Sequence, residues 1–289
     1  MAKTLIFTIL ALIAFAANSV LCRSALGGDT IDASSFTFIR LLSGALILLA
    51  VLKLRRREER TSTKGSWFAG IMLFSYAVTF SFAYNSLTTG TGALILFAAV
   101  QITMIMASLV TGNRLHISEW LGVAIAFGGF VYLVMPGVSA PSPAGFVLMT
   151  VAGIAWGAYT IKGRGSRNPL MDTAYNFLRT LPAALLLTIV SSGYAHYSPK
   201  GIVLAIMSGA IASGIGYTIW YIALGGLSAT QAAVIQLSVP VIAALGGVVF
   251  VSELITARLA LTSALILGGI LLVMLGRRYL VQTGSGFKT

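Results

Sequence analysis

The sequence FIRLL at residues 38–42 recurs as FLRTL at residues 177–181, a separation of 139 residues. The same separation brings further identical residues into register: Ala45 and Leu46 with Ala184 and Leu185, Val100 with Val239, Leu115 with Leu254, and Gly129 with Gly268. A near-constant offset over several segments indicates an internal repeat, because chance matches in an apolar chain need not share one offset. We therefore expect two related halves, residues 1–140 and 141–280, and a polar C-terminal tail at residues 281–289.

Both halves are strongly apolar. The residues AVILMFWYC make up 57% of the 289 positions, and charged residues only 9%, whereas an ordinary soluble domain carries about 25% charge. A water-soluble globule could neither bury so much apolar side chain nor cover its surface with so few charges. The composition argues against a soluble enzyme, a soluble nucleic-acid-binding protein and a disordered linker.

Ten stretches are long and apolar enough to cross a bilayer, whose core of about 30 Å requires about 20 helical residues. They are Leu5–Leu21, Ser35–Leu52, Trp67–Leu87, Gly92–Val110, Trp120–Met135, Gly145–Ile161, Thr173–Val190, Ile202–Tyr221, Thr230–Val251 and Leu259–Leu275. Because five spans per half is an odd number, the second half must enter the membrane with the opposite orientation. The predicted fold is an all-α membrane protein of ten transmembrane helices, arranged as two inverted five-helix repeats around a central cavity.

The first stretch has a second interpretation. Met1–Ser19 carries a lysine, an apolar run and small residues, as a signal peptide does. The apolar run continues to Cys22, however, and the repeat requires this segment as a helix.

The basic residues predict the orientation. The chain has 19 Lys+Arg against 7 Asp+Glu, a net charge of +12. If the N-terminus is cytoplasmic, 14 of the 19 basic residues fall on the cytoplasmic side, above all in KLRRREERTSTK at residues 53–64. Basic loops face the cytoplasm and contact anionic lipid. We expect the inner (plasma) membrane of a bacterium with both termini cytoplasmic, contacts with membrane lipid and no nucleic acid, and the plan permits a homodimer.

Four short motifs resemble those of the drug/metabolite transporter superfamily, EamA type. FVSEL at 250–254 resembles the segment that closes the ninth helix of that family, and QLSVPV at 236–241 resembles the piece before it. GGI at 268–270 resembles the last helix, and WGAY at 156–159 with Lys162 resembles the sixth. The resemblance covers essentially the whole chain, and Ser75-Tyr76 with WGAY is similar to the YddG-type exporters of aromatic and other amino acids. It implies a ten-helix carrier. We expect no cofactor and no metal, because the sequence has neither a Walker A motif nor a His/Cys metal cluster.

The two halves differ in residue type at two positions that belong to, or correspond to, these motifs. Gln101 in the first half corresponds to Pro240, and Arg114 corresponds to Glu253. We therefore expect an asymmetric cavity.

The residues expected around this cavity are mostly aromatic. Tyr76, Phe80 and Tyr84 share one helical face of the third span, as Ser213, Tyr217 and Tyr221 do in the eighth. Facing each other, the two faces would form an aromatic-walled chamber whose hydroxyl groups bind a ligand. The alternative is ordinary packing, or an aromatic belt at the membrane interface for Tyr84 and Tyr221.

Further candidates lie deep within other spans. Trp156 and Tyr159 are candidate wall residues of the sixth span, with core packing as the alternative. The amides of Asn18, Gln101 and Gln236 either contact substrate or hold helices together. Structural or gating roles are expected for four residues: Arg40, Arg179, Pro240, which would hinge or statically kink the ninth span, and Glu253.

The acidic residues bear on the energy source. Asp29, Asp32, Glu58, Glu59, Glu119, Asp172 and Glu253 are all expected in loops or at span ends, as are both histidines. A proton-coupled carrier usually buries a carboxylate or histidine that binds the proton. The sequence therefore predicts facilitated or exchange-type transport down a substrate gradient.

The function predicted is export of small metabolites, most of all aromatic and other neutral amino acids, by alternating access, without enzymatic activity. The alternatives are a drug or nucleotide-sugar carrier of the same fold, and a membrane enzyme or assembly subunit that transports nothing. Nucleotide sugars would need deep basic residues, for which only Arg40 and Arg179 are candidates. The absence of catalytic motifs argues against the enzyme.

Overall fold

A computed structural model describes residues 2–54, 64–110, 117–137, 140–163, 166–227, 232 and 235–284. Residues 55–63 of the basic segment 53–64, together with Arg114, Arg164 and residues 285–289, lie outside the described residues.

The described residues form ten successive apolar helices, numbered here in chain order. They are α1 (Ala2–Leu26), α2 (Ala33–Leu54), α3 (Trp67–Ala83), α4 (Thr89–Val110), α5 (Ile117–Val134), α6 (Pro143–Gly163), α7 (Pro169–Val190), α8 (Pro199–Ile206, Met207–Ile215 and Gly216–Leu224 in continuous succession), α9 (Val239–Val251) and α10 (Ala257–Gly284). A single 3₁₀ turn, Ser192–Tyr194, precedes α8. Extended pairing in the described chain is limited to one isolated bridge, between Ile31 and Tyr197.

The predicted all-α membrane fold is confirmed. Six helices are long and apolar enough to cross a membrane, and four shorter apolar helices, Trp67–Ala83, Glu119–Val134, Val239–Val251 and Ala257–Val273, complete the set. Large apolar side chains such as Leu186, Phe127 and Val249 are exposed on the outside of the bundle. In a membrane protein such a surface faces hydrocarbon.

The helix packing has the symmetry of an inverted repeat. α2 packs on α7 and α5 on α10, so corresponding helices of the two halves meet. α1 contacts α8 and α9, and its counterpart α6 contacts their counterparts α3 and α4. In the same way, α2 contacts α8, and its counterpart α7 contacts α3. Exchanging the halves therefore reproduces this contact pattern, as expected for two five-helix repeats.

α8 departs from regular α-helix geometry in its middle. Met207–Ile215 is π-helical, and this segment is rich in small residues. A Cβ added to Gly209 would overlap the Arg40 carbonyl oxygen and Ser43 Oγ of α2. The absence of a side chain at Gly209 thus lets the two helices cross in backbone contact.

Two helix boundaries differ from the sequence prediction. α9 begins at Val239, after a turn at Leu237–Ser238, instead of continuing from Thr230. Pro240 therefore occupies the first turn of α9, where its missing N–H costs no hydrogen bond. Residues 235–236 before the turn are helical, so the helix is interrupted next to Pro240, and the hinge or static kink expected at this residue stays a prediction. α10 extends to Gly284 and includes the first residues of the predicted polar tail.

Candidate functional site

Five aromatic side chains meet at the centre of the bundle, and we call them the aromatic cluster: Tyr76 and Phe80 of α3, Trp156 and Tyr159 of α6, and Tyr217 of α8. Trp156 is the hub. Its ring centroid lies 4.9 Å from that of Tyr76, 5.3 Å from Tyr159 and 5.0 Å from Tyr217. The predicted faces of α3 and α8 are thus brought together through Trp156, which packs between them.

The aromatic cluster borders a cavity at the junction of both halves. Its lining comes from α1, α3, α4, α6 and α8: Phe15, Asn18, Ser19, Tyr76, Phe80, Leu96, Phe97, Trp156, Ala212 and Tyr217. The cavity volume is about 20 Å³, room for about one water molecule, whereas ligand pockets usually measure several hundred Å³. The rings therefore fill the chamber in this conformation.

Wider depressions lie on both sides of the aromatic cluster. We call the face at which α1 begins the terminal face, and the opposite one the distal face. The terminal depression, about 260 Å³, is lined by Tyr159, Lys162, Asp172 and Asn176 among others. The distal depression, about 510 Å³, includes Asp29, Asp32, Asn85 and His196 in its lining. Tyr159 borders the terminal depression and stacks on Trp156, which borders the central cavity.

Asn18 connects three helices inside the cavity wall. Its amide nitrogen donates to the Tyr76 hydroxyl at 3.4 Å, and its amide oxygen accepts from Ser208 Oγ at 2.6 Å. The buried amide lines the cavity and joins α1 to α3 and α8. It therefore holds helices together, and its contact with substrate stays a prediction.

Other predicted wall residues lie elsewhere. Tyr84 is buried and packs on Phe80 at 4.8 Å, which makes it a packing residue here and not part of an interfacial belt. Gln101 and Ser213 are buried outside the cavity lining, each with an unpartnered polar atom, and Gln236 is half-buried directly before the turn at Leu237–Ser238. Tyr221 belongs to α8, but its side chain lies outside the described residues.

The two repeat-related arginines occupy different environments. Arg40 is 2% exposed and donates from Nη2 to the Tyr76 hydroxyl at 3.0 Å. Arg179 instead donates to the Lys64 carbonyl at the terminal face, and its guanidinium lies 5.6 Å from the Trp67 ring. The two halves are accordingly asymmetric at this pair of residues.

Glu253 belongs to a group of contacts that we call the distal latch. Ser252 ends α9 in the left-handed conformation with φ 56°, and the Glu253 carboxylate then accepts from Arg23 Nε at 3.0 Å and from the Thr89 amide at 2.8 Å. Arg23 also donates to the Tyr84 carbonyl at 3.1 Å. The distal latch therefore ties α9 to α1, α3 and α4.

Sequence reasoning missed Arg23 and several apolar wall residues. Arg23 is one of few basic residues predicted on the outer side, and this exception to the charge pattern was the available signal. Phe15 and Phe97 offered none, because an apolar residue in an apolar span does not indicate which side it faces.

Comparison with known proteins places this geometry in a family. The model of the EamA-like transporter family matches residues 2–135 and 143–275. The chain is 49% identical to an uncharacterized protein of Pseudomonas aeruginosa, over 95% of this chain and 96% of that one. It is 24% identical to a probable amino-acid metabolite efflux pump of Escherichia coli, over 74% and 80% of the two chains. A solved crystal structure matches with TM-score 0.68 and 20% identity, covering 95% of this chain and 97% of that one, which supports the fold.

Proposed function

Because this chain belongs to the EamA-like transporter family, we propose that it exports amino acids, aromatic and other neutral ones above all, from the bacterial cytoplasm. The observation that carries the proposal is the aromatic cluster at a mostly apolar cavity with a few polar side chains, at the junction of the two halves. A relative described as a probable amino-acid metabolite efflux pump supports the same substrate class.

The cavity wall suits neutral or zwitterionic molecules with apolar side chains. Aromatic rings supply apolar contact, while the Asn18 amide and the phenol groups of Tyr76 and Tyr217 supply hydrogen-bonding groups. A nucleotide sugar carries several phosphate charges, yet Arg40 is the only buried basic side chain in the described part of the chain. Amino acids therefore fit this wall better than nucleotide sugars.

The proposed mechanism is alternating access about the aromatic cluster. A chamber of about 20 Å³ between two wider depressions is the geometry of an occluded carrier. Opening toward the terminal face requires Tyr159 and Trp156 to separate. Opening toward the distal face requires the distal latch to break, and inverted repeats permit the two movements to be related by symmetry.

The substrate class is tested with purified protein in liposomes loaded with labelled phenylalanine, threonine or methionine. We expect saturable efflux of label, without any ion gradient, above that of protein-free liposomes. If none of the three amino acids leaves faster than through lipid alone, while the protein is folded and inserted, the proposed substrate class is wrong.

Efflux is expected not to depend on a proton gradient. The described lining of the central cavity contains no Asp, Glu or His that could carry a proton. Imposing a pH gradient of either sign should change the initial efflux rate by less than about twofold, because no proton-binding group is buried at the substrate site. The measurement is efflux at equal internal pH with varied external pH. Efflux that requires a pH gradient would contradict the proposal.

The distal latch is expected to hold the distal side closed. Glu253→Gln removes the charge of the Arg23 ion pair, and a charge-assisted hydrogen bond of this kind contributes about 1–2 kcal/mol when partly exposed. The distal-open population should rise about 5- to 30-fold. Cys22, the only cysteine of the chain, is fully buried next to Arg23 and reports the opening through its rate of modification by a thiol reagent.

Asp29→Asn is the matched control, because it removes a carboxylate that contacts His196 Nε2 at an exposed position on the same face. Its Cys22 modification rate should equal that of the wild type. Equal rates in Glu253→Gln and wild type would mean that the distal latch does not control this opening.

A further inference from the structure

Arg40 is a buried cation with an incomplete set of partners. It lies on α2, 2% exposed, with its guanidinium carbon 5.2 Å from the ring centroid of Tyr76 and 4.9 Å from that of Phe80. Nη2 donates to the Tyr76 hydroxyl, whereas Nη1 is buried without a hydrogen-bond partner. One of the two terminal nitrogens of the guanidinium therefore has no hydrogen-bond acceptor.

The described acidic residues are engaged elsewhere. Glu253 pairs with Arg23, and Asp29 with His196. Asp32 caps the start of α2, and Asp172 accepts from the Gly65 amide. Glu119 is buried in the first turn of α5. None of the ion pairs in the described chain involves Arg40.

A buried guanidinium without an anion is costly. Arginine does not lose its proton in proteins, and the penalty for burying an unpaired charge is several kcal/mol. The rings of Tyr76 and Phe80 and the phenol oxygen of Tyr76 offset part of it. The remaining donor, Nη1, is suited to an anion that is bound only at one stage of the cycle.

Tyr76 connects this guanidinium to the central cavity. Tyr76 lines the cavity together with Asn18, whereas Arg40 does not, and the Tyr76 hydroxyl oxygen accepts from both Arg40 and Asn18. If the phenol swings aside, both Nη atoms of Arg40 can face the chamber. A carboxylate fits this fork because its two oxygens can accept the two parallel N–H bonds.

We propose that Arg40 binds the carboxylate of the transported molecule, and that the Tyr76 hydroxyl occupies the carboxylate's place in the occluded state. This inference rests on the proposed function and narrows its substrate class to molecules with a free carboxylate. The substrate ammonium group then lies among the faces of Trp156 and Tyr217, which attract cations. Amines, esters and amides of the same side chain lack the group that Arg40 recognises.

The first test needs only the wild-type protein in liposomes that release labelled phenylalanine. Unlabelled phenylalanine should inhibit that release competitively, whereas phenylalaninamide and phenethylamine should bind at least about 30-fold more weakly, since the carboxylate partner of a buried charge is missing. Equal inhibition by the amide or the amine would overturn the role of Arg40 without affecting the proposed function. Absence of any phenylalanine release would overturn both.

The second test compares variants by their KM for phenylalanine. Arg40→Gln should raise KM at least about 30-fold and abolish the preference over the amide, and Arg40→Lys, which keeps the charge but not the fork, should fall between it and wild type. Lys200→Gln, which removes an exposed positive charge at the start of α8, should behave as wild type. A normal KM in Arg40→Gln would overturn the inference. If Arg40→Gln does not fold, the KM of Arg40→Lys and the selectivity of the wild type for phenylalanine over its amide decide the inference instead.

Discussion

Replacing Gly209 with alanine is expected to destabilise the protein by about 3 kcal/mol or more, the upper end for an overpacked site. The added methyl would overlap the Arg40 carbonyl oxygen and Ser43 Oγ, and the first of these belongs to helix backbone that cannot rotate away. α2 and α8 would have to separate. Their separation would also displace Ser208, which bonds to Asn18 in the cavity wall. The measurement is the thermal unfolding midpoint in detergent, which should fall sharply for Gly209→Ala.

Gly128→Ala is the control for this substitution. Gly128 lies on α5, and a Cβ there would meet no atom within 4 Å. Alanine at an open helical position is neutral or stabilises by about 0.5–1 kcal/mol. If Gly209→Ala melts at the temperature of Gly128→Ala, the close crossing of α2 and α8 is not a feature of the folded protein.

Trp156→Ala is expected to reduce saturable efflux of phenylalanine by at least about tenfold and to destabilise the protein by about 3–5 kcal/mol, as other large aromatic truncations do. Trp156 contacts three other rings of the aromatic cluster, so its removal leaves a void between both halves. The remaining rings would neither close around a substrate nor seal the chamber from the terminal depression. Efflux kinetics and the unfolding midpoint are measured on the same preparation.

Two control variants distinguish the effect of losing an aromatic ring at position 156 from the effect of losing any tryptophan side chain. Trp156→Phe keeps an aromatic ring at the hub and should retain most of the transport. Trp120→Ala removes an indole that is 56% exposed at the start of α5 and should leave efflux unchanged. Normal efflux in Trp156→Ala, despite a confirmed fold, would exclude the aromatic cluster as the substrate site.

The architecture was predictable from sequence for two reasons. The thickness of the bilayer fixes the length of each apolar segment, and the repeat requires the same number of spans in each half. The offset that relates Arg40 to Arg179 shows the repeat, and the odd number of spans in each half predicts the inverted orientation of the halves. Helical spacing correctly placed Tyr76 with Phe80, and Trp156, expected deep in its span, lies against three other aromatic rings. These inferences depend on one helix at a time.

The contacts between helices were less accessible. Periodicity shows which side chains share a face but not which helix lies opposite, so the position of Trp156 between Tyr76 and Tyr217 could not be predicted. Arg23 and Glu253 meet across 230 residues. The turn at Leu237–Ser238 interrupts the predicted ninth span, and Pro240, two residues after it, was the available signal.

The difference between Arg40 and Arg179 also arose from packing and not from pattern. Both arginines lie within the same short motif. Arg40 is nevertheless buried beside the aromatic cluster, whereas Arg179 donates a hydrogen bond to the Lys64 carbonyl. Small residues in α8 admit α2 closely enough to enclose Arg40. Divergence at such positions turns a symmetric scaffold into an asymmetric site.

Counterflow of phenylalanine tests the central claim, a carrier that alternates about the aromatic cluster, most directly. Liposomes containing the protein are preloaded with unlabelled phenylalanine and diluted into a trace of labelled phenylalanine at equal pH. We predict that label accumulates transiently inside above its external concentration, because an alternating carrier exchanges one molecule for another, and that Trp156→Ala abolishes this overshoot. Equilibration of label without an overshoot, or an overshoot undiminished in Trp156→Ala, would contradict the claim.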